Sequence, residues 1–318
     1  MTKPLIIATL AGAVSGFLFV ALIFGSAFGM LFINFTHLPL FLVGLSLGTG
    51  AVAIAAVTST VVVGATIGLG SVIPFAIAYA IPVTLIVRQV LLHRPAAAGG
   101  VGGVEWYPSG RVLGMLVCYG LAAFAVVFVI MASGEMGLVD VMRAALEETS
   151  ALLFTSLDAE QRLALVDHWS TALPGALITS WLIMLAVNAA LAQGALKRLG
   201  WNRRPSLDLG RIELPIGFAF ALVASGALWY FADGGAAFVG QTLTIAIATP
   251  YLFLGLAVVH QVSRPWPGRR FALFVFYLLL LLLLGLPGLV LVAGLGLADQ
   301  LIGLRRRIAG VAPDKENE

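Results

Sequence analysis

Residues 4–87 read PLIIATLAGAVSGFLFVALIFGSAFGMLFINFTHLPLFLVGLSLGTGAVAIAAVTSTVVVGATIGLGSVIPFAIAYAIPVTLIV and contain no Asp, Glu, Lys or Arg. As one helix this stretch would run about 125 Å at ~1.5 Å per residue, several times the ~30 Å hydrocarbon core of a bilayer. A water-soluble domain cannot carry such a stretch. The first quarter of the chain therefore crosses or re-enters a membrane several times.

The remainder agrees. The chain is 60% hydrophobic and 10% charged, against about 25% charged in ordinary soluble domains. Further uncharged runs cover 112–134, 168–196, 214–232, 234–263 and 271–298. No stretch is large and polar enough for a soluble domain. The expected fold is all-α: a polytopic transmembrane helical bundle of about eight hydrophobic helices, some short or kinked. Residues 1–318 are read as one integral membrane domain. The apolar start exceeds a signal-peptide core and lacks a clear cleavage site, so it is read as a retained first helix.

Charge gives the topology. Lys3, Arg88, Arg94, Arg111, Lys197, Arg198, Arg203, Arg204, Arg211, Arg264, Arg269, Arg270, Arg305, Arg306, Arg307 and Lys315 sit in short segments between apolar runs. Short basic loops stay cytoplasmic. Segment 134–170 is acidic, with Glu135, Asp140, Glu147, Glu148, Asp158, Glu160 and Asp167 against Arg143 and Arg162. It is expected outside, as one or two amphipathic helices carrying Leu138, Met142, Leu146 and Leu153 at helical spacing. Both termini, including the tail 305–318, are expected in the cytoplasm of a bacterial cell, with the chain in the inner membrane. The basic residues report topology, not nucleic acid.

Helices are expected over Leu5–Ile33 with a break near Gly25-Ser26, Leu38–Val57, Val72–Leu92 with Pro74 and Pro82 as kinks, Val112–Met131, Thr171–Leu196, Ile212–Phe231 and Val239–Gln261. Thr58–Gly70 reads as short or re-entrant. Phe271–Leu304 reads as a hairpin or kinked pair hinged at Pro287-Gly288, since one straight crossing would put Arg305–Arg307 outside. Pro95–Gly110 reads as a flexible connector.

Polar side chains at membrane depth need partners and mark candidate cavities. Thr49, Thr58, Ser59, Thr60 and Thr66 can bond their own helix carbonyls. Asn34, His37, Asn188 and Gln241 are the substrate-cavity candidates. Ala8, Gly12 and Gly16 repeat at four-residue spacing, which lets helix backbones approach closely in lipid. That row serves packing within the chain or docking of another membrane subunit. Asp299, six residues before Arg305, reads as a local ion pair or an interfacial anchor. Cys118 is a lone apolar-helix residue, and no Cys/His spacing for a metal occurs. No HExxH or paired intramembrane aspartates occur. The chain is expected not to be an enzyme, and no catalytic residue, metal or cofactor is assigned.

The glycine-rich uncharged start, the acidic middle segment and the ending Gly296-Leu297-Ala298-Asp299-Gln300 before Arg305-Arg306-Arg307 together resemble the YybS-like family of uncharacterised bacterial membrane proteins. That family is thought similar to the substrate-binding S components of energy-coupling-factor transporters. The resemblance implies that residues 1–92 dock a coupling subunit and that the chain binds a small solute of unknown identity. A non-transporting scaffold or envelope assembly factor, using the acidic segment to hold a partner, is the alternative.

Overall fold

The computed structural model describes residues 2–24, 27–95, 103–132, 138–153, 157–206 and 212–308. Among the described residues are fifteen α-helices, four short 3-10 or π segments and one short strand pair. Eight helical stretches are long and apolar enough to cross a membrane. The protein is an all-α, polytopic helical bundle, because a backbone in hydrocarbon has to satisfy its polar groups internally.

The chain forms two compact units, residues 1–112 with 181–207 and residues 113–180 with 208–318. The first opens with α1 (Thr2–Val20), followed by a 3-10 turn to Phe24. Then come α2 (Ala27–Ile33), α3 (His37–Leu47) and α4 (Thr49–Ile67). The expected break near residues 25 and 26 falls outside the described residues. The expected helix 38–57 is divided at Gly48, where φ is 104°. Thr58–Gly70 is accordingly not re-entrant. Its residues to Ile67 form the second half of α4, whose last turn ends at Gly68 with φ 122°. A left-handed backbone at both positions is cheap only for glycine, so the two glycines, rather than the Thr/Ser content, set the limits of α4.

The next crossing is composite. It comprises α5 (Val72–Phe75), a π turn over Ala76–Ala80 and α6 (Ile81–Val90). The expected connector begins and ends in an antiparallel ribbon, β1 (His93–Pro95) against β2 (Val104–Trp106). Arg94 faces Glu105 there and bonds it at 2.8 and 3.0 Å. This pair holds the Glu105 carboxyl below the usual range.

In this unit α1 packs on α4 through its small residues. Ala8 is fully buried. A Cβ on Gly12 would strike the Ala55 carbonyl, and one on Gly16 would lie 2.8 Å from Val62. The opposite face of α1, with Leu5, Ile6, Leu10, Val14 and Phe17, is more than half exposed. Phe19, Phe75 and Tyr79 form an aromatic cluster with ring centres 5.0–5.2 Å apart.

Helix α7 (Ser109–Ala132) leads to α8 (Leu138–Leu153) and α9 (Ala159–Ser170), which pack on each other. Asp158 and Gln161 close a reciprocal capping box on α9. Such a box satisfies two donors at a helix start. Arg143 ties the pair together through Glu147 and Asp167. The long α10 (Leu173–Leu199) supplies residues to both units.

In the second unit α11 (Gly217–Phe231) and α12 (Gly234–Val262) form an antiparallel pair around the Asp233-Gly234 turn. Ser225 bonds Thr244 at 3.1 Å, and Gly240 abuts the Trp229 backbone. Each begins some residues away from its expected start, α11 five later and α12 five earlier. Then follow α13 (Arg269–Leu279), a π turn to Leu284, α14 (Gly285–Ile302) and α15 (Leu304–Ile308). The run leaves from the carboxyl end of α12. Near its end Arg305 meets Ile212 and Arg306 meets Glu213. The backbone bends at Gly285, with φ 48° and ψ −131°, rather than at the expected hinge Pro287-Gly288. A proline keeps φ near −65° and is tolerated in a first helical turn, whereas this bend uses a positive φ. Gly255 and Gly296 let α12 and α14 touch backbone to backbone at Val292 and Tyr251.

Candidate functional site

The candidate span over residues 28–47 is broken near its middle. Between α2 and α3 the backbone tightens into a turn with i to i+3 bonds: Asn34 N to Leu31 O, Phe35 N to Phe32 O, Thr36 N to Ile33 O and Leu38 N to Phe35 O. A switch from the i+4 pattern releases carbonyls that need other donors. Side chains from elsewhere supply them. Ser15 Oγ donates to Thr36 O at 2.6 Å, and Asn188 Nδ2 donates to Asn34 O at 2.7 Å and to Met184 O at 2.8 Å.

A second irregularity meets the same turn. Pro82 has no N–H, so the carbonyl four residues before it, Ala78 O, loses its helical donor. The π turn over Ala76–Ala80 lies at this point. Trp181 Nε1 donates to Ala78 O at 2.8 Å, and His37 Nε2 lies 3.3 Å from it. A carbonyl only accepts, so the hydrogen of His37 sits on Nε2 and leaves Nδ1 as an acceptor. The imidazole stacks on Tyr79 with ring centres 4.6 Å apart.

These bonds serve the backbone, and they leave side-chain atoms over. Thr36 Oγ1, His37 Nδ1 and Asn188 Oδ1 are buried and have no partner among the described residues. Thr36 and His37 are fully buried and Asn188 is 2% exposed. Buried polar atoms are satisfied in the great majority of cases, and each exception costs about 1–3 kcal/mol. Three exceptions around one turn mark it as a place with an unmet bonding requirement. No charge stands near them in the chain: nothing ionisable as Asp, Glu, Lys or Arg occurs in 4–87 or 168–196.

Three of the four cavity candidates, Asn34, His37 and Asn188, thus come together. Asn34 contributes its carbonyl, while its own side chain bonds Met30 O at 2.8 Å. Gln241 lies part-buried on α12 in the second unit and takes no part. Four of the five hydroxyls expected to bond their own helices are seen to do so: Thr58 to Ile54 O, Ser59 and Thr60 to Ala56 O, and Thr66 to Val62 O. A groove of about 410 Å³ runs between α4 and the α5–α6 crossing, past Ala53, Ala56, Thr60, Ala76, Ala80 and Thr84. Thr60 and Thr84 spend their hydroxyls on their own helices. The groove is therefore apolar and offers no recognition group to a polar solute.

Asp299 and Arg305 form the other buried polar locus. Asp299 Oδ1 accepts from the Arg305 backbone N–H and Oδ2 from Arg305 Nε, both at 2.7 Å. Arg305 Nη2 donates to Ile212 O at 2.6 Å. Gly303, with φ 65°, makes the turn that brings Arg305 back onto Asp299. A cavity of about 190 Å³ beside the pair is lined by Glu213, Leu254, Gln300 and Arg306 among others. The pair fastens the end of α14 to the start of the α11 segment.

Several functional contacts carried no readable signal. Arg203 Nε donates to Ser46 O at 2.9 Å, at the carboxyl end of α3. Arg204 donates to Val90 O at 2.9 Å, at the end of α6, and to Tyr107 O at 3.1 Å. It also lies 5.6 Å from the Trp106 ring centre. Burial lowers the Arg204 pKa from its ordinary value. Residues that charge counting treats as topology markers thus also cap exposed helix carbonyls, where a cation is favoured. Pro250 inside α12 frees a carbonyl as Pro82 does, and Thr249 and Thr179 bond each other nearby at 2.8 Å.

Fold and broken helix together define a polytopic helical membrane protein with a buried polar locus at membrane depth. Residues 13–300 match the family described as Predicted membrane protein (DUF2232), and the chain belongs to that family. No curated protein and no solved structure matches it.

Proposed function

We propose that this protein is a transporter-like, small-solute-binding membrane component whose site is the break between α2 and α3. The observation that carries the reading is the set of three unpartnered buried atoms, Thr36 Oγ1, His37 Nδ1 and Asn188 Oδ1, at a broken membrane helix. Discontinuous helices near the midplane are where transporters bind substrates, because irregular backbone is tolerated there only next to protein or a cavity. The resemblance to S components of energy-coupling-factor transporters points the same way. We read the chain as a binder and not an enzyme, in a bacterial inner membrane with both ends cytoplasmic. Convergence of Gly48, Val90 and Tyr107 on Arg203 and Arg204 at one end of the first unit supports that arrangement of loops.

The α8–α9 pair favours a second reading. It packs on itself and carries Asp140, Glu148 and Glu160 at its surface, as a scaffold for a basic partner would. Purification in lipid nanodiscs followed by mass spectrometry of bound small molecules and subunits separates the two. A retained metabolite that is lost in Asn188→Leu supports solute binding. A stoichiometric protein partner with no metabolite supports the scaffold and sinks the first reading.

A further inference from the structure

We infer that the group recognised at the α2–α3 break is uncharged and donates hydrogen bonds, as a carboxamide or hydroxyl does, and that carboxylates, phosphates and ammonium groups are refused. This rests on the solute-binding reading above.

The unmet atoms set the chemistry. His37 Nδ1 is an acceptor, because Nε2 carries the hydrogen toward Ala78 O. Asn188 Oδ1 only accepts, and Thr36 Oγ1 accepts as well as donates. A complementary ligand brings donors. The amino end of α3 would ordinarily attract an anion, but most of its donors are used or missing here. Thr36 N bonds Ile33 O, Leu38 N bonds Phe35 O, and residue 39 is a proline.

Net charge is excluded on separate grounds. The elements that build the cluster are α1, α2–α3, the α5–α6 crossing and α10. Their nearest charges in the chain are Lys3, Arg88 and Lys197, in the first or last turn of the spans. A buried carboxylate, phosphate or ammonium would have no counter-charge, and an uncompensated ion in a low-dielectric interior is far costlier than a neutral polar group. A neutral donor meets the acceptors and needs no counter-charge.

The test uses the full chain in nanodiscs with ¹⁵N-histidine, the His37 signals assigned through His37→Phe. Acetamide and isopropanol are titrated as neutral donors; methylammonium, acetate and inorganic phosphate are the charged probes. Acetamide and isopropanol are expected to move the His37 Nδ1 resonance, and the charged probes to leave it unmoved. Thr36→Val removes only an unpartnered hydroxyl, so it folds, and it should weaken acetamide binding about tenfold. Movement by any charged probe overturns the chemical class while leaving a solute site at the break. Acetamide binding unchanged in Thr36→Val puts it elsewhere and overturns the inference. No response to any probe overturns both the inference and the site reading beneath it.

Discussion

The break at Asn34–His37 and the lock at Asp299–Arg305 are both buried polar loci, and they are finished differently. At the lock both carboxylate oxygens of Asp299 accept from Arg305, which also reaches Ile212 O. At the break the side chains bond backbone carbonyls and leave Thr36 Oγ1, His37 Nδ1 and Asn188 Oδ1 over. A buried ion pair survives only when it is closed, because one unpaired charge costs several kcal/mol. Neutral groups can stay open at about 1–3 kcal/mol each, a cost with no structural return. The Asp299–Arg305 pair is therefore closed as a fastening, whereas the break keeps neutral groups open.

The largest effect expected from breaking this comparison is at the lock. Asp299→Ala strands a buried guanidinium and should cost about 3–5 kcal/mol, read by chemical unfolding in mixed micelles. Replacing both partners, as in Asp299→Leu with Arg305→Leu, should recover much of that loss. A cost under about 1 kcal/mol for the single variant would mean that the pair fastens nothing.

Next comes Gly12→Leu, which drives a side chain into the Ala55 carbonyl. Overpacking costs about 1–3 kcal/mol or more, so folded yield should fall. Unchanged yield would break the close α1–α4 contact. Trp181→Phe removes one of two donors to Ala78 O while His37 remains, and about 1 kcal/mol should go. A far larger loss would make the break a second lock. The smallest effect belongs to Thr36→Val, whose unfolding midpoint should stay level or rise slightly, since a buried unmet hydroxyl is replaced by a methyl. A marked fall would reveal that this hydroxyl holds the fold and would erase the contrast between the two loci.

Parts of this were legible beforehand. Asn34, His37 and Asn188 stood out because amide and imidazole groups are hard to satisfy within their own helix. Gln241 stood out for the same reason and lies elsewhere. Asp299 and Arg305 were readable as a pair of opposite charges close in the chain, but it is the turn at Gly303 that brings them together. Ser15 and Trp181 gave no warning, since Ser and Trp are ordinary in membrane helices. Pro82 was visible as a kink, but not as the reason Ala78 O needs donors from His37 and Trp181. The bend at Gly285 and the division at Gly48 carried no proline or polar signal, since positive φ at a glycine decided both.

What the sequence determined by itself is the solvent and the secondary structure. Uncharged runs of this length belong in hydrocarbon, and a backbone there has to bond within its own segment, so it is helical. Which polar residues meet was decided only by the tertiary structure. Asn34 and Asn188 are 154 positions apart, and a helix specifies a side chain only by its angle about its own axis. In lipid there is no hydrophobic drive to dictate neighbours. The partner is set by how closely glycine rows let backbones approach and by which carbonyls the turns and prolines leave open.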